Sequence, residues 1–281
     1  MEISGKVAIV TGGASGAGRA LALGLASRGS SGVAVCDIDG DGAAKVAAEI
    51  ESAGGRALAV AADMTREADV QALVARAEET FGPVGLFFSN AGIIVAGGED
   101  ASDDAWSKIW AINVHSHVYV ARAILPGMLA RGEGYLVVTA SAAGLLTQLG
   151  SAPYAVTKHA AVAFAEWLSI TYGDRGIRVS ALCPQAFSSN LLATSRREAG
   201  AGALPELGAA GGSAQAAVDG VLTSEQVAEC ALDGIATEQF LMLPHPDVAT
   251  YERRRADDRD RWIRGMRRLQ ESLDAVPRSR P

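Results

Sequence analysis

The chain has few of the residues that build disulfide frameworks or metal centres. Its 281 residues include three cysteines and four histidines. Cys36, Cys183 and Cys230 are odd in number and lie far apart in apolar sequence, so we expect buried thiols. No two histidines have the i, i+4 spacing that places both on one helical face, and we predict no zinc or other metal site. His115 and His117, two residues apart, are expected in packing or surface roles.

Long apolar runs and excess positive charge are also missing. The apolar segments are much shorter than the roughly 20 residues of a membrane span, which argues against a membrane protein. The formal net charge of −7 argues against a nucleic-acid binder, because a phosphate backbone would be repelled. Residues 1–5 show neither the basic nor the apolar part of an export signal. We therefore expect a cytoplasmic protein.

Apolar, β-branched runs alternate with helical patterns along most of the chain. They predict strands at Lys6–Thr11, Val33–Asp37, Ala57–Ala61, Gly85–Ser89, Gly134–Thr139, Arg178–Cys183 and Phe240–Leu243. They predict helices at Arg19–Arg28, Ala43–Ala53, Glu67–Phe81, Asp103–Arg131, Tyr154–Asp174 and Ser224–Ala236. Such β-then-α units require right-handed parallel crossovers. The sequence therefore predicts an α/β Rossmann fold, a doubly wound parallel sheet of about seven strands with helices on both faces, in one domain of residues 1–243.

A turn made almost without side chains joins the first predicted strand and helix. It has the sequence Thr11-Gly12-Gly13-Ala14-Ser15-Gly16-Ala17-Gly18. Glycines let the backbone approach a phosphate closely, and the free N–H groups at the start of a helix stabilise its charge. The turn predicts a dinucleotide pyrophosphate site, although glycine-rich turns between strand and helix also occur for packing alone.

Acidic residues follow the second and third predicted strands. Asp37 is placed to accept hydrogen bonds from the adenosine ribose hydroxyls and to repel the 2′-phosphate of NADP. Asp39 and Asp41 stand where an NADP enzyme would carry arginine. We therefore predict NAD as the cofactor; the alternative for Asp37 is an exposed turn residue. Asp63 either bonds the adenine amino group or caps a helix that begins near Thr65.

A tyrosine and a lysine are predicted to share one face of a helix. Tyr154 and Lys158 have the i, i+4 spacing, in a chain with only five tyrosines and four lysines. A nearby cation lowers the pKa of tyrosine from its usual value of about 10, so that the phenol can act near neutral pH. Ser141 ends a predicted strand, and its hydroxyl could polarise a substrate carbonyl beside that phenol.

These motifs, in this order, make the chain similar to the short-chain dehydrogenases/reductases over about residues 1–185. The matching positions are Thr11-Gly12, Gly16-Ala17-Gly18, Asn90-Ala91-Gly92, Asn113, Ser141, Tyr154 and Lys158. The resemblance implies that Tyr154 is the general acid/base and that Ser141 orients the substrate oxygen. It implies that Lys158 lowers the tyrosine pKa and holds the nicotinamide ribose. Asn113 would anchor a water of the proton relay, and Asn90-Ala91-Gly92 would stabilise the sheet beside the cofactor.

The resemblance also implies a set of NAD-binding positions at the strand ends. They are Thr11, Gly12, Ser15, Gly16, Ala17, Gly18, Asp37, Ile38, Asp63, Met64, Asn90, Ala91, Gly92, Tyr154, Lys158, Pro184, Gln185 and Phe187. Two positions depart from the family pattern. Ala17 stands where many members carry Ile, and Gln185 follows Pro184 where the family has Gly and then a Thr that contacts the carboxamide. Ser188 or Ser189 could supply that hydroxyl, and Gln185 either stiffens the loop or reaches into the site.

The Ala-, Gly- and Ser-rich segment 188–223 lies where the family carries its substrate lid; the alternative is a plain surface loop. The pocket residues suggested by position are mostly apolar: Leu145, Leu146, Leu149, Phe187, Leu191 and Leu192. They predict a hydrophobic or ring-containing secondary alcohol or ketone as substrate. These apolar residues offer no group that could bind a carboxylate or phosphate. Arg196 or Arg197 could do so if either turns into the site with the lid.

Residues 244–281 form a C-terminal extension, predicted as an extended segment followed by a helix of mixed charge. Acidic residues interrupt the run of arginines in this helix, which argues against a nucleic-acid role. An apolar stripe that packs on its own subunit or on another is available from Tyr251, Trp262, Met266 and Leu269. By resemblance we expect a homo-oligomer, a tetramer or dimer, formed through the helices that carry Trp106, Trp110, Tyr154 and Trp167.

The expected function is NAD-dependent hydride transfer between a secondary alcohol and its ketone. Two alternatives remain open. A non-catalytic NAD-binding regulator would keep the glycine turn but generally lose Tyr or Lys, and both are present here. A family member that catalyses dehydration or epimerisation is poorly excluded by sequence. Preference for NAD favours the oxidation of alcohol to ketone.

Overall fold

All seven predicted strands form one parallel sheet in the computed structural model, which describes residues 1–188 and 219–274. The strands are β1 Val7–Thr11, β2 Gly32–Asp37, β3 Ala57–Ala61, β4 Val84–Ser89, β5 Gly134–Thr139, β6 Ile177–Leu182 and β7 Leu241–Met242. Their order in the sheet is β3-β2-β1-β4-β5-β6-β7, and every neighbouring pair is parallel. The predicted doubly wound fold is confirmed. The order reverses between β1 and β4, which is where ligands of such sheets bind.

Apolar side chains cover both faces of the sheet, as a parallel sheet between two helical layers requires. Along β1, Ile9 packs into the core on one face, whereas Ala8 and Val10 pack into the core on the other. The helices are α1 Gly16–Ser27, α2 Gly40–Ser52, α3 Glu67–Phe81, α4 Asp103–Trp110, α5 Ser116–Arg131, α6 Ala143–Leu146, α7 Ala152–Tyr172, α8 Ser224–Thr237, α9 Asp247–Asp257 and α10 Arg259–Asp274. None of these helices is both long and apolar enough to cross a membrane.

The long helix predicted over Asp103–Arg131 is interrupted. A π-helical turn, Ala111–His115, separates α4 from α5 and carries the fully buried Asn113. Such turns are rare and frequently mark functional sites. The short helix α6 was not predicted, because four residues are too few to show a helical period.

The C-terminal extension is helical where an extended segment was expected. That prediction was wrong, because α9 begins at Asp247 and a second helix, α10, follows directly. Between them, Asp258 adopts an extended conformation, and its carboxylate accepts a hydrogen bond from the N–H of Arg261 at 2.8 Å, which starts the new helix. Asp258 therefore divides the described part of the extension into two helices.

The structure also bears on the predictions for the cysteines, for His117 and for the lid. Cys36 and Cys183 are buried as expected, but Cys230 on α8 is only half-buried. His117 has a packing role, with Nδ1 at 2.6 Å from the hydroxyl of Ser89. Most of the predicted lid lies outside the described residues, and with it Ser189, Leu191, Leu192, Arg196 and Arg197.

Candidate active site

The glycine-rich turn after β1 leaves no room for side chains. Gly12 has a φ of +66°, and a Cβ there would lie 3.1 Å from Asn90 Nδ2. A Cβ on Gly18 would lie 2.0 Å from the carbonyl oxygen of Gly12. Ser15, at the N-cap of α1, makes no side-chain capping bond to the described chain, so the first N–H groups of α1 are available to an anion. Glycine thus lets the turn pack closely, and the N–H groups at the start of α1 are donors of the kind that a pyrophosphate requires.

The ends of β1 and β4 are tied together beside this turn. The hydroxyl of Thr11 accepts hydrogen bonds from the N–H groups of Asn90 and Ala91 at 2.9 and 3.1 Å. Asn90 Nδ2 donates to the carbonyl of Thr11 at 2.9 Å. These bonds join Thr11 to Asn90 across the two strand ends, at the point where the strand order reverses.

The carboxylate of Asp37 is held at the end of β2, next to the glycine turn. It accepts hydrogen bonds from the N–H of Ala14 and from the N–H of Asp39, both at 3.0 Å. The neighbouring Ile38 is 61% exposed, an unusual exposure for a large apolar side chain. An acceptor and an apolar surface therefore lie together where an adenosine was predicted.

Asp63 forms a turn rather than a helix cap. Its carboxylate accepts hydrogen bonds from the N–H and the hydroxyl of Thr65 at 2.9 and 2.7 Å, whereas α3 begins only at Glu67. The helix-capping alternative was therefore wrong by two residues. Next to it, Met64 is buried, with its sulfur 3.8 Å from that of Cys36.

Asn113 is locked in place by its side chain. Its Oδ1 accepts a hydrogen bond from the N–H of Ile93 at 3.0 Å, and its Nδ2 donates to the carbonyl of Ile93 at 2.9 Å and to the hydroxyl of Thr157 at 3.2 Å. These bonds join the π-helical turn to α7 and to the loop after β4. A Cβ on Gly92 in that loop would lie 3.0 Å from Asn113 Oδ1, so a side chain there would crowd Asn113.

The structure brings Ser141, Tyr154 and Lys158 together, as predicted. The phenol of Tyr154 is buried, and the side chain of Ser141 acts to lower its pKa. Lys158 Nζ lies 5.6 Å from the centre of the Tyr154 ring and donates a hydrogen bond to the carbonyl of Thr139 at 2.9 Å. A hydroxyl, a phenol and an ammonium group thus share one buried site at the carboxyl edge of β5.

Burial changes the pKa values of this group in a direction that was not expected. Burial raises the pKa of Tyr154 above its usual value, and the interaction with the Ser141 side chain offsets part of the rise. Burial lowers the pKa of Lys158 to about 8. The predicted lowering of the tyrosine pKa by Lys158 is therefore not the net result in this structure, where desolvation is the largest effect and the ammonium lies over the ring.

Gln185 belongs to a group of hydrogen-bonded residues that were not predicted as part of the site. Its N–H donates to Nδ1 of His245 at 3.3 Å, and its Nε2 donates to the carboxylate of Asp219 at 3.2 Å. The hydroxyl of Tyr251 donates to the same carboxylate at 2.9 Å. The one available signal was the position of His245, just after the last strand, where the carboxyl ends of parallel strands meet.

The predicted apolar pocket is only partly assembled within the described residues. Leu145 is buried in the core on the α7 side of the sheet, and Leu146 packs against it from a partly buried position. Phe187 packs against the core on the other face and forms a parallel bridge with Leu222. Leu149 is half-buried. These four residues therefore do not form one cluster.

Comparison with known proteins agrees with this geometry. Residues 6–200 match the family model described as short chain dehydrogenase. The sequence is 31% identical to 1-deoxy-11-beta-hydroxypentalenate dehydrogenase of Streptomyces exfoliatus over 92% of this chain and 90% of that one. It is 36% identical to cyclohexanol dehydrogenase of Acinetobacter sp. (strain SE19) over 68% of this chain and 77% of that one. A short chain dehydrogenase/reductase from Burkholderia phymatum, solved in complex with NAD, has a TM-score of 0.82 and 31% identity, covering 92% of this chain and 96% of that chain.

Proposed function

The chain belongs to the short-chain dehydrogenase family of oxidoreductases, and from this premise we propose that it interconverts a ring-containing secondary alcohol and its ketone with NAD. The observation that carries the proposal is the buried cluster of Ser141, Tyr154 and Lys158, which lies at the same edge of the sheet as the glycine-rich turn. Two relatives named for the dehydrogenation of cyclic alcohols support a ring-containing substrate.

The residues present fit a dinucleotide. The N–H groups at the start of α1 would hold the pyrophosphate, because Gly12 and Gly18 keep that surface free of side chains. Asp37 would bind the adenosine ribose, and its charge favours NAD over NADP. Lys158 would hold the nicotinamide ribose. When bound, the nicotinamide supplies or accepts the hydride.

Tyr154 and Ser141 would handle the proton at the substrate oxygen. During oxidation the Tyr154 oxygen takes the proton of the alcohol, and during reduction the phenol returns it to the oxygen of the ketone. The hydroxyl of Ser141, whose side chain interacts with Tyr154, would hold that oxygen beside the phenol. Because the pKa of Lys158 is about 8, its ammonium form prevails at neutral pH and stabilises the phenolate. Asn113 would anchor the water that continues the proton relay.

We also propose a homo-oligomer formed through α7. Val156, Trp167 and Ile170 lie on one face of this helix, since their spacings of eleven and three residues are close to whole turns. Trp167 is 53% and Ile170 78% exposed. Large apolar groups exposed in one stripe support burial against a second copy, in a dimer or a tetramer.

The proposal is tested by cofactor titration followed by a substrate panel. Energy transfer from tryptophan to the reduced nicotinamide would be measured with NADH and then NADPH. Absorbance of the reduced nicotinamide would then be followed with NAD and cyclic or aromatic secondary alcohols, including cyclohexanol, with butan-2-ol as the open-chain control. We expect tighter binding of NADH and faster turnover of the ring alcohols. Tighter binding of NADPH would contradict the role of Asp37, and NADH binding without turnover would contradict the proposed reaction.

A further inference from the structure

Gln185 directly follows Pro184, whose carbonyl is a hydrogen-bond partner of Ser141. The carbonyl of Pro184 accepts hydrogen bonds from the hydroxyl of Ser141 at 3.3 Å and from the N–H of Ala142 at 2.9 Å. The Cα atom of Gln185 therefore lies about 3.8 Å from that of Pro184, the spacing of successive Cα atoms. The glycine usual here in the family has no side chain, so the carboxamide of Gln185 adds a polar group beside the catalytic serine.

The orientation of this carboxamide follows from its neighbours. The carboxylate of Asp219 can only accept hydrogen bonds, and it receives one from Gln185 Nε2 and one from the hydroxyl of Tyr251. The nitrogen of the amide must therefore face Asp219, and the oxygen must point elsewhere. That oxygen, Oε1, is buried and has no hydrogen-bond partner among the residues that the structure describes.

His245 presents the complementary group. Its Nδ1 accepts the hydrogen bond from the backbone N–H of Gln185, so in the neutral ring the proton is on Nε2. The residue is only 2% exposed, and Nε2 likewise has no partner within residues 1–188 and 219–274. One unpartnered acceptor and one unpartnered donor thus belong to two residues in direct contact.

Buried polar atoms are nearly always paired, and exceptions in native structures call for an explanation, such as a bound water, an ion or a functional role. A hydroxyl group fits this pair, because it can donate to Gln185 Oε1 and accept from His245 Nε2. We propose that Gln185 and His245 bind a second hydroxyl group of the substrate, so that the enzyme prefers ring diols to simple ring alcohols. This inference rests on the proposed function and names the substrate class. Asp219 and Tyr251 act as positioning residues, because they orient the carboxamide.

The test compares cyclohexanol with the cyclohexane-1,2-, 1,3- and 1,4-diols at saturating NAD. We expect kcat/KM of the wild type to be about tenfold or more higher for at least one diol, because a site built around a hydroxyl discriminates against the analogue that lacks it. Gln185→Met keeps the length of the side chain but removes the carboxamide. It should bring the ratio of diol to cyclohexanol close to one, mainly through a higher KM for the diol.

Tyr251→Phe removes one hydroxyl that orients the carboxamide. We expect the diol preference to fall about threefold, through KM rather than kcat, whereas a loss of general structure would reduce kcat for both substrates. Tyr119→Phe makes the same chemical change on α5, where the ring of Tyr119 lies beside His115 and Arg122, and should leave the ratio unchanged. The dissociation constant of NADH is measured for each variant.

Several results would overturn the inference. Equal kcat/KM for cyclohexanol and all three diols in the wild type leaves the proposed function intact but removes the second hydroxyl site. A diol preference that survives Gln185→Met does the same. Weaker binding of NADH in Gln185→Met with an unchanged ratio assigns the carboxamide to the cofactor instead. Absence of turnover with every ring alcohol contradicts the proposed function itself, and the inference with it.

Discussion

The proposed cofactor side of the site is built mainly from backbone groups, whereas the catalytic side is built from side chains. On the proposed adenosine and pyrophosphate side, within residues 1–92, recognition would depend mainly on backbone groups of the glycine turn, together with carboxylates such as Asp37. On the catalytic side, the working groups are buried side chains such as Tyr154 and Lys158. A backbone site needs only local geometry, whereas a side-chain site depends on how deeply distant segments bury it. The two sides should therefore be separable by mutation.

Removal of the phenol hydroxyl should break the catalytic side alone. Tyr154→Phe is expected to lower kcat about 1,000-fold, or about 4 kcal/mol in the activation barrier, because general acid/base catalysis is lost. The dissociation constant of NADH should stay within about twofold of wild type, since the backbone groups of the glycine turn are untouched. Steady-state kinetics and the fluorescence titration measure the two effects.

Tyr119→Phe, at a half-buried position of α5, serves as the matched control and should change neither quantity. Turnover by Tyr154→Phe within tenfold of wild type would remove the proposed acid/base role. A parallel loss of NADH binding would instead show that the two sides are not separable.

The buried ammonium of Lys158 should make stability depend on pH. Its pKa is about 8 in the folded protein but 10.5 as the ordinary value, so the unfolded chain binds this proton more tightly. Folding is penalised below about pH 8, and the penalty disappears as the pH rises toward about 10.5. Relative to Lys158→Met, the free energy of unfolding of the wild type should therefore rise by about 2 kcal/mol between about pH 7 and about pH 9.5.

Urea unfolding of both proteins at the two pH values measures this difference. Comparison across pH cancels the hydrogen bond to Thr139, which Lys158→Met also removes. Lys108→Met is the control, because Lys108 is largely exposed and pairs with Asp104 on the surface of α4. A pH-independent difference between the wild type and Lys158→Met would refute the buried cation.

The same contrast decides how much could be predicted from the sequence. The seven strands and the glycine turn were predictable, because apolar periodicity and the exclusion of a Cβ act locally. The pairing of Tyr154 with Lys158 was predictable from helical spacing. The bonds of Asn113 to Thr157 and of Gln185 to His245 were not, because they join segments that only the fold brings together. The rise in the tyrosine pKa was missed for the same reason, since it results from burial by distant residues.

On the proposed cofactor side, Asp37 is a charged side chain whose removal should change affinity more than chemistry. Asp37→Ser is expected to weaken NADH binding about tenfold, because hydrogen bonds to a charged acceptor are worth about 1.5–3 kcal/mol. NADPH binding should improve, because its 2′-phosphate no longer meets a carboxylate. Fluorescence titration with both cofactors gives the selectivity, and steady-state kinetics should place the loss in KM for NAD rather than in kcat.

Asp37→Asn separates the two contributions of the carboxylate. It keeps an acceptor for the ribose but removes the charge, so NADPH should gain affinity while NADH loses less than in Asp37→Ser. Asp41→Asn removes a charge in the first turn of α2 and controls for the field of the acidic segment. If neither substitution at position 37 changes the ratio of the two dissociation constants, the carboxylate of Asp37 has a local structural role through Ala14 and Asp39, and cofactor choice must come from elsewhere in the chain.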